Sequence, residues 1–136
     1  MGRILSIDYG KKRTGLAWTA PLQIIASGMG SIDTPKLKEE LIKRVKEGVV
    51  EEIVLGFPTR LDGSDTHATQ AVKDFQKWLL KKWPEMKIHL WDERFTSKMA
   101  HQTMLDAGLS RKKRKDKHLV NQISATIILQ EFLSGR

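Results

Sequence analysis

The alternation of apolar and polar positions predicts a chain that opens with strands and continues with alternating strands and helices. A short apolar run, Arg3–Asp8, ends in a carboxylate. Thr14–Trp18 and Gln23–Ile32 predict two further strands that complete an antiparallel meander, the third of them irregular. The compact apolar runs Glu52–Gly56 and Lys87–Trp91 are typical of buried parallel strands.

Apolar residues at helical spacing predict four helices. They extend from Thr34 to near Gly48, from Ala68 through Leu79, from Thr96 to Gly108 and from Leu119 to Leu133, with a basic linker over Leu109–Lys117. Thr34 and Thr96 are predicted as helix caps. The predicted inward-facing residues are Leu37, Leu41 and Val45, then Ala68, Ala71, Val72, Phe75, Trp78 and Leu79, then Met99, Ala100 and Met104. The last helix is so apolar that we expect it to pack across the sheet.

This order of elements predicts one α/β domain over residues 1–136. Its mixed five-stranded sheet would combine a three-stranded antiparallel meander with parallel strands, and helices would cover both faces. No apolar run reaches the roughly 20 residues that cross a bilayer, and no secretory signal precedes the first strand. The absence of cysteine excludes disulfides and thiolate metal sites. We therefore expect a cytoplasmic protein with no membrane partner.

The formal net charge of +8 favours a polyanionic partner, nucleic acid ahead of a membrane surface. The cations concentrate in two clusters: Lys11, Lys12 and Arg13, and then Arg111, Lys112, Lys113, Arg114, Lys115 and Lys117. Such clusters suit phosphate-backbone contacts, which give affinity without sequence specificity. A solvated loop is an equally good interpretation of the second cluster. No aromatic residue interleaves with it, so a base-stacking platform is not indicated.

Acidic residues follow two of the predicted strands. Asp8 ends the first strand, and Asp92-Glu93-Arg94 follows the fifth. The carboxyl ends of parallel strands open on one edge of a sheet, where ligands bind in α/β folds. Mg²⁺ is typically held there by one or two carboxylates, and two such ions can flank a scissile phosphate. Either Asp92 or Glu93 could point inward. The alternatives are a turn aspartate at position 8 and a surface pair of Glu93 with Arg94.

Asn121 is a weaker candidate, near the start of the last helix. The small residues Ser124 and Ala125, one turn later, would let this helix approach the sheet closely. That approach would bring Asn121 to the edge where Asp8 lies. On local grounds, an asparagine at this place more often hydrogen-bonds to its own helix.

Four motifs occur in order along the chain. They are Ile7-Asp8-Tyr9-Gly10 with Lys12-Arg13-Thr14-Gly15-Leu16-Ala17, Val54-Leu55-Gly56-Phe57-Pro58 with Asp62-Gly63-Ser64, Asp92-Glu93-Arg94-Phe95-Thr96, and Ser124-Ala125-Thr126-Ile127-Ile128-Leu129-Gln130. In sequence and spacing they closely resemble the YqgF family, also called RuvX, almost from end to end. The resemblance implies an RNase H-like fold. It also implies a nuclease, described for the family either as maturing the 5′ end of pre-16S ribosomal RNA or as resolving Holliday junctions.

By this resemblance, Asp8 and Glu93 would be catalytic acids that act through Mg²⁺ or Mn²⁺. The family's third acid matches Asn121, whose carbonyl can still bind a hard cation but carries no negative charge. Asp92 or Asp116 could compensate for that missing charge, although neither matches the family position.

The expected function is metal-dependent cleavage of structured nucleic acid, with precursor ribosomal RNA ahead of branched DNA as the substrate and ribosomal particles as a candidate partner. Arg94 and the two basic clusters would contact its phosphates. A nucleic-acid-binding protein whose catalysis is weakened by Asn121 is the rival hypothesis. A phosphotransferase of the actin-like fold is disfavoured, because the chain is too short for two such domains.

Overall fold

Five strands and five helices make up the part of the chain that the computed structural model describes, residues 2–19, 26–48, 50–57, 67–92 and 96–135. The strands are β1 (Arg3–Asp8), β2 (Arg13–Thr19), β3 (Ala26–Asp33), β4 (Val50–Phe57) and β5 (Lys87–Asp92). The helices are α1 (Leu37–Lys46), α2 (His67–Lys82), α3 (Thr96–Asp106), α4 (Arg111–Arg114) and α5 (Lys117–Gly135). A single 3₁₀ turn, Thr34–Lys36, precedes α1.

The strands form one sheet in the order β3-β2-β1-β4-β5. β2 is antiparallel to both β1 and β3, whereas β4 is parallel to both β1 and β5. This arrangement confirms the predicted α/β fold, in which an antiparallel meander continues into parallel strands. The observed β3 begins at Ala26, and the earlier part of its predicted range lies outside the described residues.

Each face of the sheet carries its own hydrophobic core. On one face α1 and α2 cover the strands, through the buried residues Leu5, Ile7, Leu16, Leu37, Leu41, Ile53, Leu55, Val72, Phe75 and Leu79. On the other face α5 packs against β1, β2 and β4, through Ile4, Ala17, Val54, Ala125, Ile128 and Leu129. α3 packs against α5. The predicted apolar stripes are therefore largely confirmed, apart from Ala68, whose side chain is outside the described part of the structure. Helices cover both faces.

The prediction for α3 was wrong at one position. Ala100 and Met104 are fully buried, but Met99 is 42% exposed. α3 packs mainly on α5 rather than on the broad sheet surface, so its buried stripe is narrower than the sequence suggested. None of the helices in the described segments is long and apolar enough to span a membrane.

The basic segment before the last helix is more ordered than a linker. It contains the short helix α4, where the Ser110 hydroxyl accepts a hydrogen bond from the backbone N–H of Lys113. α5 starts two residues earlier than predicted, because the Asp116 carboxylate accepts hydrogen bonds from the N–H groups of His118 and Leu119. Side-chain capping of this kind satisfies helix donors that have no partner within the helix.

The predicted cap at Thr34 was also wrong. Thr34 lies inside the 3₁₀ turn, and the residue at the N-cap position, Asp33, makes no capping hydrogen bond through its side chain. The Thr34 hydroxyl instead donates to the carbonyl oxygen of Gly10, at 2.5 Å. A threonine that follows a strand is thus used to fix a distant turn.

Candidate active site

The carboxyl ends of three strands meet at one edge of the sheet. In the register, Ile7 of β1 is level with Leu55 of β4, and Leu55 is level with Leu90 of β5. Asp8 ends β1 one position later. β5 ends at Asp92, directly before Glu93, which lies outside the described residues together with Arg94. The described strands therefore bring Asp8 and the residue that precedes Glu93 to the same edge.

Asp8 belongs to the face of the sheet that α5 covers. The Ser6 hydroxyl donates a hydrogen bond to the carbonyl oxygen of Ala125 in α5, at 2.6 Å. Because side chains alternate along a strand, Asp8 shares the face of Ser6. Asp8 is half-buried. Its carboxylate is thus at the edge of the layer between the sheet and α5.

Asn121 reaches this edge because α5 approaches β2 very closely. A Cβ atom added to Gly15 would lie 1.9 Å from the backbone oxygen of Asn121 and 3.1 Å from its Cβ. Gly15 is in turn the β2 residue paired with Asp8. Directly opposed residues of antiparallel strands have Cα atoms roughly 4.5–5.5 Å apart. Asp8 and Asn121 are therefore both neighbours of Gly15.

The structure assigns other surroundings to the two residues considered as substitutes for a third acid. The indole N–H of Trp91 donates to Glu131 of α5 at 2.8 Å, so Trp91 faces α5. Asp92 comes next in the strand, and alternation directs it to the opposite face, where it is exposed. Asp116 caps α5. Neither residue joins Asp8 on the face that α5 covers.

A cleft of about 660 Å³ opens beside Asn121 and the turn that follows β1. We call it the basic cleft and define it by the lining residues Lys12, Arg13, His101, Arg114, Lys115 and Asn121. Gly10 and Val120 complete the described lining, none of which is acidic. Asp8 is not among the lining residues, although the lining begins two positions after it, at Gly10.

The basic cleft joins parts of the two basic clusters. Lys12 lies in the turn between β1 and β2, and Arg13 begins β2. Arg114 ends α4, and Lys115 follows it. Arg114 also donates to the carbonyl oxygen of Leu109, at 2.9 Å. The other cations of these clusters with described side chains, Lys11, Arg111, Lys112 and Lys113, are exposed and do not line the cleft.

Three residues of this region were missed by sequence reasoning. Gly15 and Gly28 are the points where α5 meets the sheet, since a Cβ on Gly28 would touch the side chain of Gln122, at 2.5 Å. His101, an exposed residue of α3, lines the basic cleft. The two glycines could have been suspected from their places within predicted strands, where glycine often marks a close approach. His101 carried no signal.

The oxygen atoms of the described site residues are of the chemical type that binds a hard divalent cation. Asp8 offers a carboxylate and Asn121 an amide oxygen, and Mg²⁺ prefers oxygen ligands. In the segments that the structure describes, no three His, Asp or Glu side chains form a group that could hold a metal ion. A second carboxylate would have to come from outside those segments, where Glu93 is the sequence-predicted candidate.

Known proteins resemble this chain over nearly its whole length. The sequence profile of the RuvX family, described as Holliday junction resolvase, matches residues 2–135. A protein of Christiangramia forsetii named "Putative pre-16S rRNA nuclease" is 50% identical over 133 residues, which cover 98% of each chain. A protein of Phocaeicola vulgatus with the same name is 46% identical over 136 residues, covering 100% of this chain and 98% of the relative.

A solved structure has a similar fold. RuvC of T. thermophilus, in complex with a Holliday junction substrate, superposes with a TM-score of 0.59 at 14% identity. The match covers 100% of this chain and 96% of RuvC. At this identity the likeness concerns the fold, which is the RNase H-like fold that the sequence predicted. The profile match and the close relatives together show that the chain belongs to the RuvX family and is a phosphodiester-cleaving nuclease.

Proposed function

We propose that this protein is a metal-dependent endonuclease that matures the 5′ end of precursor 16S ribosomal RNA. The observation that carries the proposal is the position of Asp8 and Asn121 as neighbours of Gly15, with Asn121 also lining the basic cleft. An acid at a strand end beside a row of cations suits the cleavage of a polyanion. The choice of ribosomal RNA rests on the names of the relatives that are 43–50% identical.

Asp8 and Glu93 would hold Mg²⁺ or Mn²⁺, with Asn121 as a neutral ligand or an orienting group. A metal ion held by these residues would supply an activated water and charge stabilisation for the leaving oxygen of the phosphodiester. Lys12, Arg13, Arg114 and Lys115 would grip the phosphates on either side of the reacting bond. The long flexible side chains of these cations suit a backbone of variable shape.

The proposal is tested by incubating the purified protein with labelled 16S precursor RNA and with a four-way DNA junction, each with and without Mn²⁺. We expect metal-dependent cleavage of the RNA precursor, which Asp8→Asn abolishes without changing the thermal unfolding midpoint. Asp74→Asn is the matched control, because Asp74 accepts a hydrogen bond from Gln70 on the exposed surface of α2, on the opposite layer. An undiminished cleavage rate in Asp8→Asn would overturn the assignment.

A second candidate function is the resolution of Holliday junctions, which the description of the family profile favours. Preferential cutting of the four-way junction over the RNA precursor would support it. Binding of both nucleic acids with no cleavage in Mg²⁺ or Mn²⁺ would instead favour a binding protein whose catalysis Asn121 has weakened.

A further inference from the structure

Three hydrogen bonds converge on Thr34 in the 3₁₀ turn, two of them with the turn between β1 and β2 and one with Thr14 of β2. The backbone N–H of Thr34 donates to the carbonyl oxygen of Lys12, at 2.9 Å. Its hydroxyl donates to the carbonyl oxygen of Gly10, at 2.5 Å. The Thr14 hydroxyl lies 2.9 Å from the Thr34 hydroxyl. Because a hydroxyl has a single proton and that of Thr34 is used on Gly10, Thr14 is the donor in this third bond.

These bonds fix the backbone on both sides of Lys11. Gly10 and Lys12 flank it, and Lys12 is one of the cations that line the basic cleft. Thr14, which donates a hydrogen bond to Thr34, is fully buried, so this group of hydrogen bonds extends into the protein interior. Lys11 and Lys12, at the tip of the turn, are exposed. The carbonyl oxygens of Gly10 and Lys12 nevertheless accept hydrogen bonds from Thr34.

We propose that Thr34 is a positioning residue of the basic cleft, which holds the turn so that Lys12 and Arg13 meet nucleic-acid phosphates in a preformed arrangement. This inference rests on the proposed function, since it requires the cleft to bind nucleic acid. A turn that is already ordered loses less conformational entropy on binding. Loss of the hydrogen bonds from Thr34 to this turn should therefore weaken binding, although Thr34 itself would contact no phosphate.

The test compares Thr34→Val, which keeps the side-chain shape but removes the hydroxyl, with Thr34→Ser, which keeps the hydroxyl. Thr19→Val is the matched control: the Thr19 hydroxyl is also buried and accepts from the N–H of Ile4 at 3.0 Å, but it lies at the other end of β2. Affinity is measured by fluorescence anisotropy with a short labelled RNA hairpin that has single-stranded tails, and thermal unfolding is measured in parallel.

Thr34→Val removes the hydroxyl's hydrogen bonds to Gly10 and Thr14. We expect it to weaken RNA binding by about three- to tenfold, because only part of the stabilisation from these bonds is transmitted to binding. Its KM for cleavage should rise by a similar factor while kcat stays nearly constant. Thr34→Ser should bind like the unaltered protein. Thr19→Val should lower the unfolding midpoint without changing RNA affinity. Equal affinities for Thr34→Val and Thr19→Val would overturn the proposal.

Two further measurements separate the possible failures. Lys12→Ala tests the cleft directly. If Lys12→Ala binds RNA more weakly but Thr34→Val binds normally, the role of Thr34 is refuted and the cleft is not. If both variants bind normally, the cleft and the role of Thr34 are both refuted. The second measurement, amide hydrogen exchange, uses the unaltered protein, so it does not depend on whether a variant folds. RNA should slow exchange of the Thr34 amide, which donates to Lys12, but not that of the Ile4 amide, and an unchanged Thr34 amide would contradict the proposal.

Discussion

The backbone carbonyl of Asn121 lies directly against Gly15, in space that a single methyl group would fill. Since Gly15 pairs with Asp8 across the β1–β2 ladder, this contact sets the distance between the first helix turns of α5 and the strand end that carries the acid. A second contact, from the Ser6 hydroxyl to the carbonyl oxygen of Ala125, fixes α5 one turn later. The candidate site therefore depends on a residue with no side chain.

Gly15→Ala should destabilise the protein and disable the site. The new Cβ would meet a backbone oxygen that cannot move without α5, so we expect a loss of about 3 kcal/mol in the free energy of unfolding and a marked loss of nuclease activity. Gly28→Ala is the comparison, because the three atoms nearest its added Cβ all belong to the Gln122 side chain, which shifts more easily than backbone, so the cost should be only about 1 kcal/mol. Urea unfolding measures both. Similar losses in the two variants would contradict the described packing.

Asn121→Asp should increase the affinity of the site for Mg²⁺ or Mn²⁺. A third negative charge beside Asp8 would strengthen cation binding, so half-maximal cleavage should need several-fold less metal. Gln130→Glu, an exposed position near the other end of α5, adds the same charge away from the site and should leave the metal requirement unchanged. A metal titration of cleavage rate distinguishes them. If both variants shift it equally, Asn121 has no special position.

Removing two cations of the basic cleft should reduce the salt dependence of nucleic-acid binding. Each phosphate contact contributes about 0.7 to the slope of log K against log salt for a single strand. The variant Lys12→Ala with Arg114→Ala should therefore bind more weakly, with a slope smaller by about 1.4. The control, Lys77→Ala with Lys81→Ala, removes the same charge from exposed positions of α2. Equal slopes for the two double variants would argue against the cleft.

Asp116 should contribute to stability rather than to metal binding. Its carboxylate caps α5, so Asp116→Ala should cost about 1 kcal/mol of folding free energy. Asparagine caps helices almost as well as aspartate, and Asp116→Asn should keep both the stability and the metal requirement. The two variants are compared by thermal unfolding and by metal titration of cleavage. A raised metal requirement in Asp116→Asn would show instead that Asp116 acts as a ligand.

Much of the fold could be predicted because it depends on local patterns. Apolar runs and helical stripes identify β4, β5, α1 and α2, since buried faces must be apolar whatever their partners are. Predictions failed where a side chain had more than one possible partner. Thr34 is a residue type that often caps helices, but its hydroxyl binds the turn between β1 and β2. Met99 lies on an apolar stripe that nothing in the described structure fully covers.

The sequence by itself determined the two strands that lead to acidic positions, the basic clusters and the membership of the RuvX family. Only the tertiary structure decided which of these features meet. The turn between β1 and β2 and the end of α4 are about a hundred residues apart in sequence, yet Lys12 and Arg114 line one cleft. Asn121 reaches the neighbourhood of Asp8 only because Gly15 leaves room for α5. Small residues such as Gly15 and Ala125 indicate where elements can approach closely, but the distances themselves depend on how whole elements pack, which local composition does not determine.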